Sequence, residues 1–181
     1  GYGSTVTATP SPVTGVIATS VSAGVTGLSV NTLYNYRVVA TAATTVNASN
    51  ATFYTFANVP SVPTVVNPSS SSLDVSITAT DGNPSTTEYA IQETGSTNYV
   101  QASGALGASA VWQTASAWGT KTVTGLTSST SYIFQVKARN GALVETAFGL
   151  TGSGTTSASG SPTITVAASL TPFTTVAGVA S

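Results

Sequence analysis

Cysteine, histidine and methionine are all missing from this chain of 181 residues, and charge is nearly missing too. Without histidine no side chain has an unperturbed pKa suited to base catalysis near neutral pH, which removes the Ser–His–Asp arrangement. Without cysteine there is no thiol nucleophile, no disulfide and no Cys/His zinc site, and the redox compartment stays open. Only 5% of the residues are Asp, Glu, Lys or Arg, against roughly 25% in ordinary soluble domains. Four scattered cations, Arg37, Lys121, Lys137 and Arg139, cannot neutralise a phosphate backbone, so nucleic acid is excluded as a partner. Mean hydropathy is +0.27, yet no apolar run reaches the roughly 18 residues of a membrane-spanning helix. There is no basic amphipathic helix for an anionic membrane surface and no glycine-rich phosphate loop. The chain opens Gly1-Tyr2-Gly3 rather than with methionine. It is therefore expected to be processed, most simply by removal of a secretory signal, or to be a segment of something longer.

A net charge of −1 gives little repulsion between copies, and near-zero net charge promotes association. Such a surface is expected to be packed against other subunits, or to carry hydrated or glycosylated Ser and Thr hydroxyls. A hydrophobic fraction of 41% is enough for a packed core. Val, Thr, Ile, Tyr and Phe occur in short runs broken by Gly, Pro, Ser and Asn, which predicts many short strands. Residues 73–79 alternate cleanly. So does Tyr132–Arg139, where Tyr132, Phe134, Val136 and Ala138 share one face and Gln135, Lys137 and Arg139 the other. A sheet with one buried and one wet face follows.

The chain also repeats itself. Val25-Thr26-Gly27-Leu28 leads to Thr32, Tyr34, Tyr36, Val38 and Ala40, and Val123-Thr124-Gly125-Leu126 leads to Thr130, Tyr132, Phe134, Val136 and Ala138. The two sets are offset by 98 residues throughout, the length of a β-sandwich module. Gly-Leu, five residues, Tyr, then alternating Phe/Val/Ala resembles the E–F corner and F strand of fibronectin type III modules. Asp81-Gly82-Asn83-Pro84 before Glu88–Glu93 is similar to the B–C turn and C strand of bacterial members, and Lys137–Gly141 to their F–G hairpin. The resemblance implies an all-β, immunoglobulin-like sandwich that is extracellular and not an enzyme. It makes Tyr34 and Tyr132 tyrosine-corner residues, whose hydroxyls bond back to the backbone. The likeness covers residues 60–152 well and 15–58 in part. Ile77 stands where many members have a core Trp, while Trp112 and Trp118 fall in an apparent insertion between strands C and E.

Residues 59–152 can supply a complete module, with strands near 63–66, 73–79, 87–93, 98–102, 111–114, 120–126, 131–139 and 144–151. Residues 1–58 cannot, because too little chain precedes Val25 for the early strands. Residues 153–181 remain as a β-rich tail. A half-sandwich exposes apolar faces and unpaired strand edges. The tail of one chain can supply what the N-terminal module of another lacks, by strand addition, and a head-to-tail contact that does not close makes a filament. Ile164, Val166, Phe173 and Val176 are the expected subunit contacts, and copies of the chain itself the expected partner. Two alternatives stand beside this: a slice of a longer tandem array acting as a spacer, adhesive or carbohydrate-binding repeat, or a tail that folds back in its own chain.

Other chemistry is thin. Glu88 and Glu93 lie five apart on one strand and so point to opposite faces, which argues against a glycosidase pair. Asp81, Asn83 and Glu88 offer oxygens to Ca²⁺, but Asp-Gly-Asn-Pro is more simply a turn. No cofactor is implied. Tyr99, Trp112 and Trp118 are a candidate sugar platform, weighed against a role in capping the core or filling a subunit contact. Asn47-Ala48-Ser49 and Asn50-Ala51-Thr52 are N-glycosylation sequons. Ser/Thr clusters at 69–72 and 153–159 are expected to be hydrated loops.

Overall fold

A computed structural model describes residues 2–160. The strands are β1 (Leu33–Tyr36), β2 (Val39–Thr41), β3 (Thr45–Asn47), β4 (Ala51–Tyr54), β5 (Thr64–Val66), β6 (Ser72–Ser76) and β7 (Glu88–Glu93). They continue with β8 (Tyr99–Val100), β9 (Leu106–Gly107), β10 (Gln113–Thr114), β11 (Thr120–Thr124), β12 (Ser131–Arg139) and β13 (Gly152–Thr155). A single helical turn, α1 (Ala115–Trp118), is capped by the Thr114 hydroxyl.

From β5 onward the chain is an immunoglobulin-like sandwich of the fibronectin type III class. One sheet has the order β11-β6-β5, the other β13-β12-β7-β8-β9, with β10 also pairing β7. Every pairing is antiparallel. The alternation along β12 does what it predicts. Phe134, Val136 and Ala138 are fully buried and meet Leu73, Val75 and Val123 of the facing sheet. Residues of opposite parity, Gln135, Lys137 and Arg139, lie on the outer face.

Trp118 fills the core from the insertion. It is 2% exposed, and its Nε1–H donates to the Tyr89 carbonyl at 2.8 Å. Burying an indole requires such a partner for its N–H. Ile77, where many fibronectin type III modules have a Trp, packs at the edge of the same core.

The last strand differs from expectation. Residues 144–151 form no strand, and β13 begins at Gly152, paired along Ser131–Phe134 of β12. The reason is space. A Cβ at Gly152 would collide with the Pro63 carbonyl, and one at Gly154 would come 2.7 Å from Val65 Cγ1. Glycine here lets the strand close over β5, whereas the more β-prone Val144–Leu150 stretch lies beside β12 through the Arg139–Glu145 bridge and two backbone bonds, Thr146 N–H to the Ala138 carbonyl and Gly149 N–H to that of Val136, without forming a strand. The Ser/Thr cluster at 153–159 is thus partly strand rather than loop, and Thr156 is buried.

The N-terminal unit is smaller. β1 pairs with β4 and β2 with β3, forming one long hairpin. Before it, residues 2–32 contain only the Thr9–Ser22 bridge.

Candidate functional site

The two halves of the repeat build the same corner. Gly27 and Gly125 take φ of +72° and +76°, which glycine alone adopts without cost. The Tyr34 hydroxyl accepts the Ser29 N–H at 2.9 Å, and the Tyr132 hydroxyl accepts the Thr127 N–H at 2.8 Å. The Thr32 hydroxyl donates to the Val30 carbonyl, as the Thr130 hydroxyl does to that of Ser128. Thr55 Oγ1 accepts the Thr32 N–H and donates to the Ser29 carbonyl; Thr156 does the same to Thr130 and Thr127. The register agrees as well, Tyr34 opposite Phe53 and Tyr132 opposite Gly154. The hairpin β1–β4 is therefore the counterpart of β12–β13.

What differs is everything else that β12 has. On its second edge β12 carries β7, and over its inner face lies the sheet β11-β6-β5. Among the described residues, β1 has neither. The consequence is visible in burial at equivalent positions. Tyr36 is 51% exposed and Phe134 0%; Val38 is 56% exposed and Val136 0%; Val25 is 55% exposed and Val123 0%. Phe53 lies on the same face, its ring stacked 5.9 Å from Tyr34 and edge-on at 5.9 Å to Tyr36. The half-module thus presents an apolar sheet face that no other described element covers. Tyr2 packs elsewhere, with Arg37 4.4 Å above its ring and its hydroxyl bonded to Asn50.

The half-module is fastened to the complete one. Asn31, in the left-handed region at φ +42°, donates to Thr87 Oγ1 at 2.7 Å and accepts the Gly141 N–H at 2.9 Å. Asn140 Nδ2 reaches the Thr55 carbonyl at 3.1 Å. Asn58 and Asn83 exchange two further bonds. The Tyr54 ring lies directly on Gly141, leaving no room for a Cβ there. These contacts seat the half-module on the loops at the C-terminal end of β12.

Tyr99 and Trp112 are brought together on the outer face around Lys137, whose Nζ is 5.3 and 5.4 Å from their ring centroids and 5.3 Å from that of Phe148. Arg139 lies 4.6 Å over Trp112. Each cation also pairs with a carboxylate at 2.6 Å, Lys137 with Glu145 and Arg139 with Glu88. Burial works against the Lys137 charge, but Glu145 and Tyr99 outweigh it and hold its pKa above the usual lysine value. The ring faces of Tyr99 and Trp112 are engaged by the protein's own cations, and Trp118 offers no face to a ligand.

The carboxylates are likewise committed. Glu93, buried, accepts the Gly95 and Ser96 N–H groups and the Ser96 hydroxyl. Burial favours its neutral form, yet these donors prevail and keep its pKa below the usual range. Glu88 lies on the outer face with Arg139. Asp81 accepts the Asn83 N–H, closing the turn, and the Tyr89 hydroxyl at 3.0 Å. Burial, then the bond to Asp81 and its charge, push the Tyr89 phenol up to about 12. Among the described residues no group of three or more His, Cys, Asp or Glu is placed to hold a metal ion, and no helix is long and apolar enough to cross a membrane.

Asn47 is exposed on β3, whereas Asn50 donates to Asn35 Oδ1 and accepts from Tyr2. Ile164, Val166, Phe173 and Val176 lie outside the described residues. The Asn-based seat and the Lys137 stack were missed from sequence; the run Lys137-Ala138-Arg139 near two Trp was the available signal for the latter.

No protein-family model matches the chain, and no curated protein does. Similar solved structures include a fibronectin type III domain of human fibronectin type III domain containing protein 3, 20% identical over 59% of this chain and 92% of that one, TM-score 0.42. Domains d3–d4 of the rat CD45 extracellular region are 22% identical over 85% and 79%, TM-score 0.39. Domains FN1–FN3 of chicken CNTN1 are 19% identical over 72% and 45%, TM-score 0.38. At these scores the fold assignment rests on the strand order, the paired corners and the core: a fibronectin type III-like sandwich preceded by a hairpin with the corner geometry of β12–β13.

Proposed function

We propose that this chain is a non-catalytic structural subunit of an extracellular assembly, joined head to tail as the C-terminal segment of one copy covers the open N-terminal half-module of the next. The observation that carries this reading is the burial contrast at equivalent positions. Tyr36, Val38 and Val25 stand in solvent where Phe134, Val136 and Val123 are sealed. Uncovered apolar patches of this kind mark interaction surfaces. A homopolymer agrees with a net charge of −1 and 5% charged residues, since little repulsion opposes association. A head-to-tail contact that does not close propagates as a fibre.

The test is electron microscopy and size-exclusion chromatography of the purified intact chain over a range of concentrations. Regular fibres growing with concentration are expected. Monodisperse single copies at every concentration sink the proposal and favour a spacer or adhesive repeat.

A further inference from the structure

We infer that the free edge of the N-terminal hairpin along Tyr36–Thr41 accepts residues 163–170 of a second copy as an added strand, in the place β7 holds beside β12. This deepens the proposed head-to-tail assembly and rests on it. The acceptor is defined by the repeat. β7 pairs with β12 from Phe134 to Arg139, with Phe134 opposite Glu93, Val136 opposite Ile91 and Ala138 opposite Tyr89. The equivalents of Phe134, Val136 and Ala138 are Tyr36, Val38 and Ala40, whose other flank is taken by β4 and β3. One edge is therefore occupied and the other is open among the described residues, and an open edge is a template for strand addition.

The occupant follows from the chain beyond the described fold. Residues 161–181 contain no Asp, Glu, Lys or Arg. Within them Ile164, Val166, Ala168 and Leu170 alternate with Thr163, Thr165, Ala167 and Ser169, a period-two pattern with one wholly apolar face. Set on the open edge, that face continues Tyr36, Val38 and Ala40, and supplies the aliphatic neighbours that Ile91 gives Val136.

Position argues for a second copy rather than the same one. The chain leaves the complete module at the start of β12, where Thr156 N–H bonds the Thr130 carbonyl and Ser157 N–H that of Ser69. The half-module sits at the other end, on Asn140 and Gly141. β12 spans Ser131–Arg139, roughly 30 Å at strand rise. The described chain thus leaves its module about a strand's length from the seat of its own half-module, at the pole that a following copy would approach.

Because the chain has no cysteine, every disulfide in a variant is the introduced one. Arg37 shares the outward parity of Thr163, Thr165, Ala167 and Ser169. Full-length Arg37→Cys chain is mixed with full-length chain carrying Thr163→Cys, Thr165→Cys, Ala167→Cys or Ser169→Cys, and oxidised. Neighbouring strands bring Cα atoms within disulfide reach, so a covalent heterodimer is expected for one or two of the four tail positions. With both cysteines in one chain, a ladder of covalent multimers is expected on a denaturing gel. A doubly substituted chain that yields only internally closed monomer overturns the inference in favour of a tail folded back on itself. Fibres that persist with no crosslink at any position overturn the inference but leave the assembly standing through another contact. Absence of both fibres and crosslinks removes the two together.

Discussion

Truncating Phe134 and Tyr36 in parallel asks whether the apolar face of the half-module is covered by its own chain. The two residues occupy equivalent sites of the repeat, one fully buried and the other half exposed. Phe134→Ala removes a ring from the centre of the sandwich, between Leu73, Val75 and Val136. Buried aromatic truncations cost about 3–5 kcal/mol, a large part of the roughly 5–15 kcal/mol that holds a domain together. At about 4–8 °C per kcal/mol for a module of this size, the melting temperature should fall by at least about 12 °C. Tyr36→Ala removes a ring that lies edge-on to Phe53 and is half exposed. In dilute solution its cost should stay within about 0.5–1 kcal/mol, the range of surface substitutions plus one aromatic contact.

The assay is thermal and urea unfolding of the full chain, followed by circular dichroism at low concentration. Low concentration matters because assembly would add stability by mass action. The expected result is a large loss for Phe134→Ala and almost none for Tyr36→Ala, while Tyr36→Ala impairs fibre formation at high concentration. Equal destabilisation by both variants in the dilute, monomeric state would refute the reasoning. It would mean that the face around Tyr36 is already packed inside one molecule.

Three further outcomes follow from the geometry. Gly152→Ala should destabilise by about 1–3 kcal/mol through overpacking against the Pro63 backbone, while Gly160→Ala, which meets nothing within 4 Å, should be silent; equal unfolding midpoints for the two would remove the account of β13. Trp118→Phe deletes the N–H bonded to Tyr89 and should cost about 2–3 kcal/mol, with loss of the more shielded of the two tryptophan fluorescence signals; an unchanged spectrum would place Trp118 outside the core. Glu93 has its pKa held below normal in the fold, so its contribution is present above the unfolded value of about 4.3 and is lost as pH falls through the lower folded value. Glu93→Gln should therefore be less stable than the parent at pH 7 by about 1.5 kcal/mol, and the gap should narrow in acid; urea midpoints that stay parallel from pH 7 down to strongly acid conditions would contradict this.

Much of the sandwich is legible in the sequence because its strands are built by alternation. Tyr132–Arg139 alternates apart from the exposed Ile133 and becomes the body of β12, and Glu88–Glu93 becomes β7 beside it. The corners are legible because Gly27 and Gly125 stand at fixed distance before Tyr34 and Tyr132, and a positive φ at that step is a local requirement. Where the chain is selected by its neighbours instead, local reading fails. β13 is Gly-Ser-Gly-Thr, a poor strand by propensity, and it is a strand because Pro63 and Val65 press against it. For Trp118 the sequence leaves a sugar platform and a core cap both open, because its segment looks like an insertion, and only the three-dimensional path shows that the segment folds over the core between β10 and β11. The Asn31–Gly141 seat joins residues 110 apart, and no local pattern announces a contact of that range.

Charge and covering are two sides of one design. Of the nine charged residues, four form the ion pairs on the outer face of β12 and β7, where ring contacts and partners fix their positions. The inner face of the half-module carries none: Tyr34, Tyr36, Val38 and Ala40 point one way and Arg37 the other. A cation on that face would have to be desolvated for any strand or sheet to cover it, at a cost of several kcal/mol unless it were paired. Placing Val38→Lys there should therefore leave the dilute monomer nearly as stable as before, because the site is exposed, and abolish fibre formation. Fibres that still form with Val38→Lys would show that the face remains open in the assembly, and the contact between copies would then have to lie elsewhere.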